Sequence, residues 1–166
     1  MHDELTKIDI QKMQAEIDER VARRAQLREM IRAAKELGDL SENDEYHSAR
    51  REFNKNNGRI AYLQSMIETA VIIDGTSGAD EIGLFDTVEL YVEEDEEVRT
   101  ITLVTTLRQD AIRGYVSKES PLGQAIMGHK VGDRVSIRVN EKYSYWVEIR
   151  SIKKGQDDDS LPISEY

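Results

Sequence analysis

The chain has 166 residues, of which 34% are charged, 39% hydrophobic and 6% aromatic, a composition that fits one or two small domains and excludes a large enzyme core. Its net charge of -10 argues against broad, non-specific coating of nucleic acid or of an anionic membrane. The lack of cysteine and the presence of only three histidines exclude disulfides and thiolate chemistry and argue against a histidine-based metal cage. Because no apolar run reaches membrane-spanning length and the chain starts with acids rather than bases, we expect a cytoplasmic protein that does not contact a membrane.

The first half of the sequence predicts two long helices. Residues 5–37 contain neither glycine nor proline and are mostly strong helix formers, and Gly38 follows as a helix-ending residue. Ser41 is the predicted N-cap of a second helix that starts near Glu42 and runs to about Ala70. Two long helices joined by a tight loop form an antiparallel hairpin.

Heptad spacing supports this pairing. Apolar residues recur at seam positions of both predicted helices, interrupted by Arg20 and Arg24 in the first helix and by Asn56 in the second. Folding the chain at about residue 40 sets Arg24 opposite Asn56. The sequence therefore predicts a coiled coil with one polar layer.

The second half changes to a hydrophobic period of two, which is typical of strands. The predicted strands are 87–92, 98–104, 134–139 and 145–152, and a short helix follows Ser120 and Pro121. The polar, acidic residues at the end of the chain predict a loose tail. We therefore predict an α+β protein with four parts: a hairpin over 1–74 with its tip at 38–45, a linker over 75–83, a small domain over 84–154 and a tail over 155–166.

Acidic residues cluster at the predicted tip, where segment 36–45 contains five acids and no base. One explanation is local, because carboxylates favour the positive end of a helix. The other explanation is that Asp39 and Glu42, ionised at neutral pH, grip a hard cation such as Mg²⁺. Two carboxylates cannot complete an octahedron, so such a site needs oxygen ligands from another protein and a phosphate.

Basic residues cluster behind the tip, where segments 20–35 and 50–59 contain ten bases and only two acids. A solvated helix surface usually mixes both signs, although ordinary surface charge remains an alternative explanation. The segregation indicates that a polyanion is guided along the hairpin, with guanidinium groups gripping phosphates. His47 is interpreted as a packing residue, with a role near the tip as a hydrogen-bond partner as the alternative. Trp146 is interpreted as a packing residue without an assigned function. The ten bases of segments 20–35 and 50–59 are Arg20, Arg23, Arg24, Arg28, Arg32, Lys35, Arg50, Arg51, Lys55 and Arg59.

The segment from Gly38 to Arg50, GDLSENDEYHSAR, resembles the tip of the GreA/GreB transcript cleavage factors of bacterial RNA polymerase. Further similarity lies at Gly58-Arg59-Ile60, at Val71-Ile72-Ile73-Asp74, at Ser120-Pro121-Leu122-Gly123-Gln124-Ala125 and at Val131-Gly132-Asp133. The resemblance implies an N-terminal antiparallel coiled coil, a C-terminal domain with an FKBP-like fold, and a factor that acts on backtracked elongation complexes.

The resemblance also implies roles for individual residues. The family's catalytic acidic pair maps to Asp39 and Glu42, which enter the polymerase secondary channel and hold a Mg²⁺ jointly with the polymerase. Contacts to the RNA 3′ segment map to Lys35 and Arg50, extended by Arg51, Arg24, Arg28 and Arg32. We expect a monomer with no cofactor of its own, while the polymerase remains the enzyme.

Three other functions compete with transcript cleavage. Asp44 replaces the family's common alanine and favours a Gre-like inhibitor that blocks the channel, whereas the intact pair of Asp39 and Glu42 favours cleavage. A prolyl isomerase needs an aromatic-lined apolar pocket, and the second half has few aromatic residues to build one. A purely structural coiled-coil adaptor leaves the acidic tip and the basic clusters unexplained.

Overall fold

The structure is a computed structural model that describes residues 3–38, 43–157 and 159–164. The chain divides into two compact units, one built from Ile10–Ala70 and the other from Asp3–Asp9 together with the residues from Val71 onward. The first unit is helical and the second contains a mixed sheet, so the predicted α+β class is confirmed. None of the helices in the described ranges has an apolar stretch long enough to cross a bilayer.

Two long helices form the first unit. Helix α1 spans Lys7–Lys35 and helix α2 spans Asp44–Thr69. The Arg59 guanidinium binds Glu16, whereas Asn43 binds Ala34, so residues later in α1 meet residues earlier in α2 and the pair is antiparallel. The hairpin interface is predominantly apolar and is formed by Met13, Ile17, Leu27, Ile31, Ala34, Ala49, Ile60 and Leu63, which are at most 9% exposed.

A five-stranded sheet forms most of the second unit. Its strands are β3 (Thr87–Val92), β4 (Glu97–Val104), β5 (Tyr115–Ser117), β6 (Arg134–Arg138) and β7 (Ser144–Lys153), in the order β5-β4-β3-β7-β6. Only the β4–β5 pair among these is parallel. The four strands predicted from alternation are confirmed to within one or two residues. Strand β5 was not predicted, because three residues are too short to show a period of two.

A pair of short strands and a short α-helix also belong to this unit. The short strands β1 (Glu4–Leu5) and β2 (Val71–Ile72) pair in parallel, so the predicted helical start at Leu5 is wrong. Helix α3 spans Pro121–Ile126, and Ser120 caps it by accepting a hydrogen bond from the Gly123 N–H at 3.0 Å. This confirms the helix predicted from the Ser-Pro pair.

The inner face of the sheet and α3 share one apolar core. Alternate residues of β3 point inward, so Val88 and Leu90 are almost completely buried while Glu89 is exposed. Ile126 of α3 packs into the same core and is fully buried. The period-two pattern that predicted the strands therefore also predicts which residues form this core.

The end of the chain packs against the second unit. Asp157 forms a bidentate pair with Arg108, in which Nη1 and Nη2 lie 2.8 and 2.9 Å from the two carboxylate oxygens. Leu161 contacts the small apolar cluster around Phe85, and the Ser164 N–H donates to the Leu107 carbonyl. These contacts show that the prediction of a loose tail is wrong for these residues. The composition of the tail does not reveal that a buried guanidinium, that of Arg108, requires carboxylate partners.

Candidate functional site

Asn43 connects the two described ends of the hairpin at the tip. Its Oδ1 accepts a hydrogen bond from the Tyr46 N–H at 3.0 Å, which caps α2, and its Nδ2 donates to the Ala34 carbonyl at 2.6 Å. The predicted N-cap at Ser41 is wrong, since α2 begins at Asp44 and Ser41 lies outside the described residues. An asparagine suits this position because it supplies an acceptor for one helix and a donor for the other.

The predicted acidic pair, Asp39 and Glu42, also lies outside the described residues. Of the flanking acids, Glu36 binds Arg32 at 2.6 Å, while Asp44 and Glu45 are exposed in the first turn of α2. Within residues 3–38, 43–157 and 159–164, no three acids or histidines come together in a way that could hold a metal ion. The shared Mg²⁺ site at Asp39 and Glu42 therefore stays a prediction.

Four of the predicted RNA-binding bases lie together on one side of the hairpin. The Lys35 ammonium lies 6.0 Å from the centre of the Tyr46 ring, and the Arg28 guanidinium lies 5.9 Å from that of Phe53. Arg50 is exposed on α2 between these two aromatic rings in sequence, four residues after Tyr46, so it shares their side of the helix. Nearer the base of the hairpin, the Arg24 Nε donates to the Asn57 side chain at 2.9 Å. We call this side, defined by Arg24, Arg28, Lys35 and Arg50, the basic flank.

The basic flank has charge available for a ligand. None of its four bases forms an ion pair with a carboxylate in the described part of the chain. Cation–π contacts orient Arg28 and Lys35 without neutralising them. These side chains therefore present positive charge at defined positions, as phosphate binding requires.

Other bases in the predicted cluster form ion pairs within the hairpin. Arg32 binds Glu29 and Glu36, and Arg23 binds Glu52 at 3.1 Å. Hydrogen bonding from Arg32, with its positive charge, lowers the pKa of the Glu29 carboxyl. Arg23 and Arg32 thus pair with acids of the hairpin. Fewer bases are therefore unpaired in the structure than the ten-base cluster in the sequence suggests.

Arg51 occupies a different side of α2 from the basic flank. Successive residues of a helix are about 100° apart, which turns Arg51 away from Arg50. It is exposed and has no acidic partner among the described residues. Arg51 therefore does not belong to the basic flank, and its role at the RNA stays a prediction.

A polar layer crosses the helix interface, with partners that differ from those predicted. The buried Asn56 donates from Nδ2 to the Arg20 carbonyl at 2.8 Å and accepts from the Arg20 Nη1 at 3.2 Å. Arg24 instead binds Asn57, so the predicted pairing of Arg24 with Asn56 is wrong. Arg20 and Arg24 are one helical turn apart, and counting residues from a loop of unknown path does not distinguish them.

Glu16 extends this layer by binding two guanidinium groups. Arg59, which is 8% exposed, donates to it at 2.7 Å, and Arg20 donates at 2.9 Å. Burial raises the pKa of the Glu16 carboxyl. The hydrogen bonds from Arg59 and Arg20, with their positive charges, lower the pKa by more, so it lies below its usual value. Arg59 therefore belongs to the hairpin interior rather than to an RNA-binding surface.

His47 lies beside Tyr46 in the first part of α2. The two rings meet edge to face with their centroids 5.3 Å apart. The imidazole is exposed and has no assigned role in the site. This agrees with its interpretation as a packing residue.

Comparison with known proteins covers both units. Residues 4–72 match the family described as "Transcription elongation factor, N-terminal", and residues 77–154 match "Transcription elongation factor, GreA/GreB, C-term". The transcription elongation factor GreA of Oenococcus oeni is 35% identical over 92% of this chain and 95% of its own length. GreA of Leuconostoc citreum is 39% identical over 86% of this chain and 91% of its own length.

Solved structures of similar proteins are less identical to the chain in sequence. Gfh1 of Thermus thermophilus, a GreA factor homologue, is 24% identical, covers 93% of this chain and 100% of its own, and superposes with a TM-score of 0.44. A GreA/GreB factor from Nitrosomonas europaea is 23% identical, covers 58% of this chain and 80% of its own, and has a TM-score of 0.40.

Proposed function

Because this chain belongs to the GreA/GreB family of transcription elongation factors, we propose that it rescues bacterial RNA polymerase complexes arrested by backtracking. The hairpin enters the secondary channel of the polymerase as a monomer and stimulates cleavage of the nascent RNA. The observation that carries this proposal is the GDLSEN sequence, which contains Asp39 and Glu42 and ends at Asn43, the residue that joins the two helix ends.

The reaction we propose is hydrolysis of an RNA phosphodiester within the polymerase active site. A Mg²⁺ shared with the polymerase supplies charge stabilisation and water activation when bound. Asp39 and Glu42 supply carboxylate oxygens, which accept hydrogen bonds from a water and orient it toward the phosphorus. The chain is therefore an accessory factor, since its two carboxylates are useful only beside ligands that the polymerase contributes.

The basic flank binds the extruded RNA in this proposal. Lys35 and Arg50 lie nearest the tip and contact phosphates first, and Arg28 and Arg24 follow along α1. Charge-assisted hydrogen bonds to phosphate oxygens position the RNA without reading its bases. The two rings that flank these bases, Tyr46 and Phe53, hold their side chains in place.

A transcript cleavage assay on a defined backtracked complex of a bacterial polymerase tests the proposal. Addition of the protein shortens the labelled RNA from its 3′ end and restores elongation when nucleotides are supplied. The alternative, a channel-blocking inhibitor, is favoured by the extra exposed acid Asp44. An inhibitor slows nucleotide addition and leaves the backtracked RNA at full length, and that result would overturn the cleavage proposal.

A further inference from the structure

The hairpin carries an exposed apolar groove on the side opposite the basic flank. Met30 of α1 and Leu37, in the turn that follows α1, are 52% and 68% exposed, although large apolar side chains are usually covered. Both side chains face the same groove. Together with residues from the start of α2, they line a groove of about 580 Å³.

The floor of this groove consists of small side chains. Ala34 and Ala49 are 4% exposed and lie at the helix interface, and Ala33 and Ser48 lie beside them along the groove. Small side chains let a further helix approach closely, because the distance between packed helices depends on the residues at the contact. The two large side chains, Met30 and Leu37, then serve as its apolar walls.

The rim of the groove is acidic. Asp44 and Glu45 line it and form no ion pair with any base in the described ranges. Glu52 lines it farther along α2 and binds the half-exposed Arg23, a surface pair that contributes little stability. An apolar strip edged by carboxylates is complementary to a segment with an apolar stripe flanked by basic side chains.

The groove fits a helix better than an extended strand. Met30 and the α2 residues Ser48, Ala49 and Glu52 lie within helices. Backbone groups inside a helix are already hydrogen-bonded, so an extended peptide would find few main-chain partners along this part of the groove. A helix satisfies its own backbone and needs only side-chain packing.

We propose that this groove binds a short, basic, amphipathic α-helix of a protein partner. Apolar residues at helical spacing pack on Met30, Leu37 and the alanine floor, and lysine or arginine side chains pair with Asp44 and Glu45. This surface is separate from the basic flank and from the acidic pair, so its binding does not depend on transcript cleavage.

A labelled model peptide tests this binding with the full-length protein. The probe is a fluorescein-labelled helix of about 14 residues made of leucine at positions i, i+3, i+4 and i+7 and lysine elsewhere. Its counterpart carries glutamate in place of lysine. Fluorescence anisotropy at about 0.15 M salt should show saturable binding of the lysine peptide and no binding of the glutamate peptide.

Two variants separate the groove from general attraction to an acidic protein. Met30→Gln combined with Leu37→Gln should weaken binding by about tenfold or more. Val21→Gln should not, because Val21 is an equally accessible side chain, 45% exposed, on the other side of α1. Neither variant changes the net charge, and all three side chains are exposed, so folding should be retained in thermal melts.

Three results would overturn the proposal. They are unchanged affinity in the Met30/Leu37 variant, equal weakening by Val21→Gln, and equal binding of the glutamate peptide. The unaltered protein provides an independent measurement, since the ¹³C-labelled methyl resonance of Met30 should shift on titration with the lysine peptide. A Met30 methyl resonance whose chemical shift does not change at saturating peptide would also contradict binding in this groove.

Discussion

Asn43 joins the helix ends at the tip by donating its side-chain amide to the Ala34 carbonyl at 2.6 Å. Its Oδ1 at the same time accepts the Tyr46 N–H. One side chain thus gives the Ala34 carbonyl a second hydrogen bond, beside the one from the Leu37 N–H at 3.1 Å, and satisfies an amide at the start of α2 that the helix itself leaves unpaired. This contact joins the described residues on the two sides of the tip.

Replacing Asn43 should affect the tip through these two bonds. Asn43→Ala removes both and should lower the free energy of unfolding by about 1 kcal/mol, the usual effect of losing an N-cap. Asn43→Asp keeps the acceptor for Tyr46 but loses the donor to Ala34. If the bond to Ala34 positions the tip, Asn43→Asp retains thermal stability in circular dichroism melts and loses cleavage activity. Full activity in the Asp variant would show that only the cap matters.

The acidic pair should be essential for cleavage and dispensable for folding. Asp39→Ala or Glu42→Ala should leave the melting temperature and polymerase binding nearly unchanged while reducing stimulated cleavage by about 100-fold or more, because an exposed metal ligand is lost. Cleavage rates at saturating factor provide the measurement. Glu45→Ala is the matched control, since it removes an exposed acid from the same region and should cleave normally. Wild-type cleavage in both pair variants would refute their assignment.

The basic flank should act through the charge of Arg50. Arg50→Glu should reduce crosslinking to the RNA 3′ end and weaken the salt dependence of functional binding, because a phosphate contact is lost. Lys55→Glu makes the same charge change on α2 at an exposed position away from the basic flank. Comparison of these two variants separates position from net charge. Equal losses in both would mean that the flank is only a solvated surface.

The polar layer should lower stability and fix register. Replacing Arg20 and Asn56 together by leucine should raise the melting temperature of the hairpin by several degrees, on the order of 1 kcal/mol, because the buried amide of Asn56 no longer needs a partner. Cleavage should fall if the helices then slip. The control replaces Arg24 and Asn57 by leucine, which removes a peripheral hydrogen bond and should change stability little. A larger stabilisation from the control pair would place Arg24 in the layer after all.

The ion pair between Arg108 and Asp157 should stabilise the second unit. Asp157→Asn should lower its free energy of unfolding by about 2 kcal/mol, since it leaves a buried guanidinium without one of its carboxylates. Urea denaturation followed through Trp146 fluorescence measures this change. Glu141→Gln, which alters an exposed acid, should have no effect. Identical denaturation midpoints for the two variants would show that the end of the chain does not contribute to stability.

Sequence alone determined the elements whose periodicity is long and regular. The two hairpin helices, the four long strands and the cap of α3 at Ser120 followed from the spacing of apolar residues and from the presence of turn and cap residues. These features are local, so the residues that decide them lie within a few positions of one another. The clustering of acids at 36–45 is a local feature of the same kind.

Only the tertiary structure decided which charged side chains form ion pairs within the chain and which can bind a ligand. The sequence predicted ten bases as one cluster, yet Arg59 and Arg20 bind Glu16 across or along the helices, whereas Lys35 and Arg50 have no carboxylate partner in the described part of the chain. The ion pairs of the buried Arg108 with Asp9 and Asp157 likewise join residues that are distant in sequence. Such pairs depend on helix rotation and register, which differ by one turn without changing the hydrophobic pattern. For this reason the pattern predicted the hairpin, while the pairing of its charges required the folded chain.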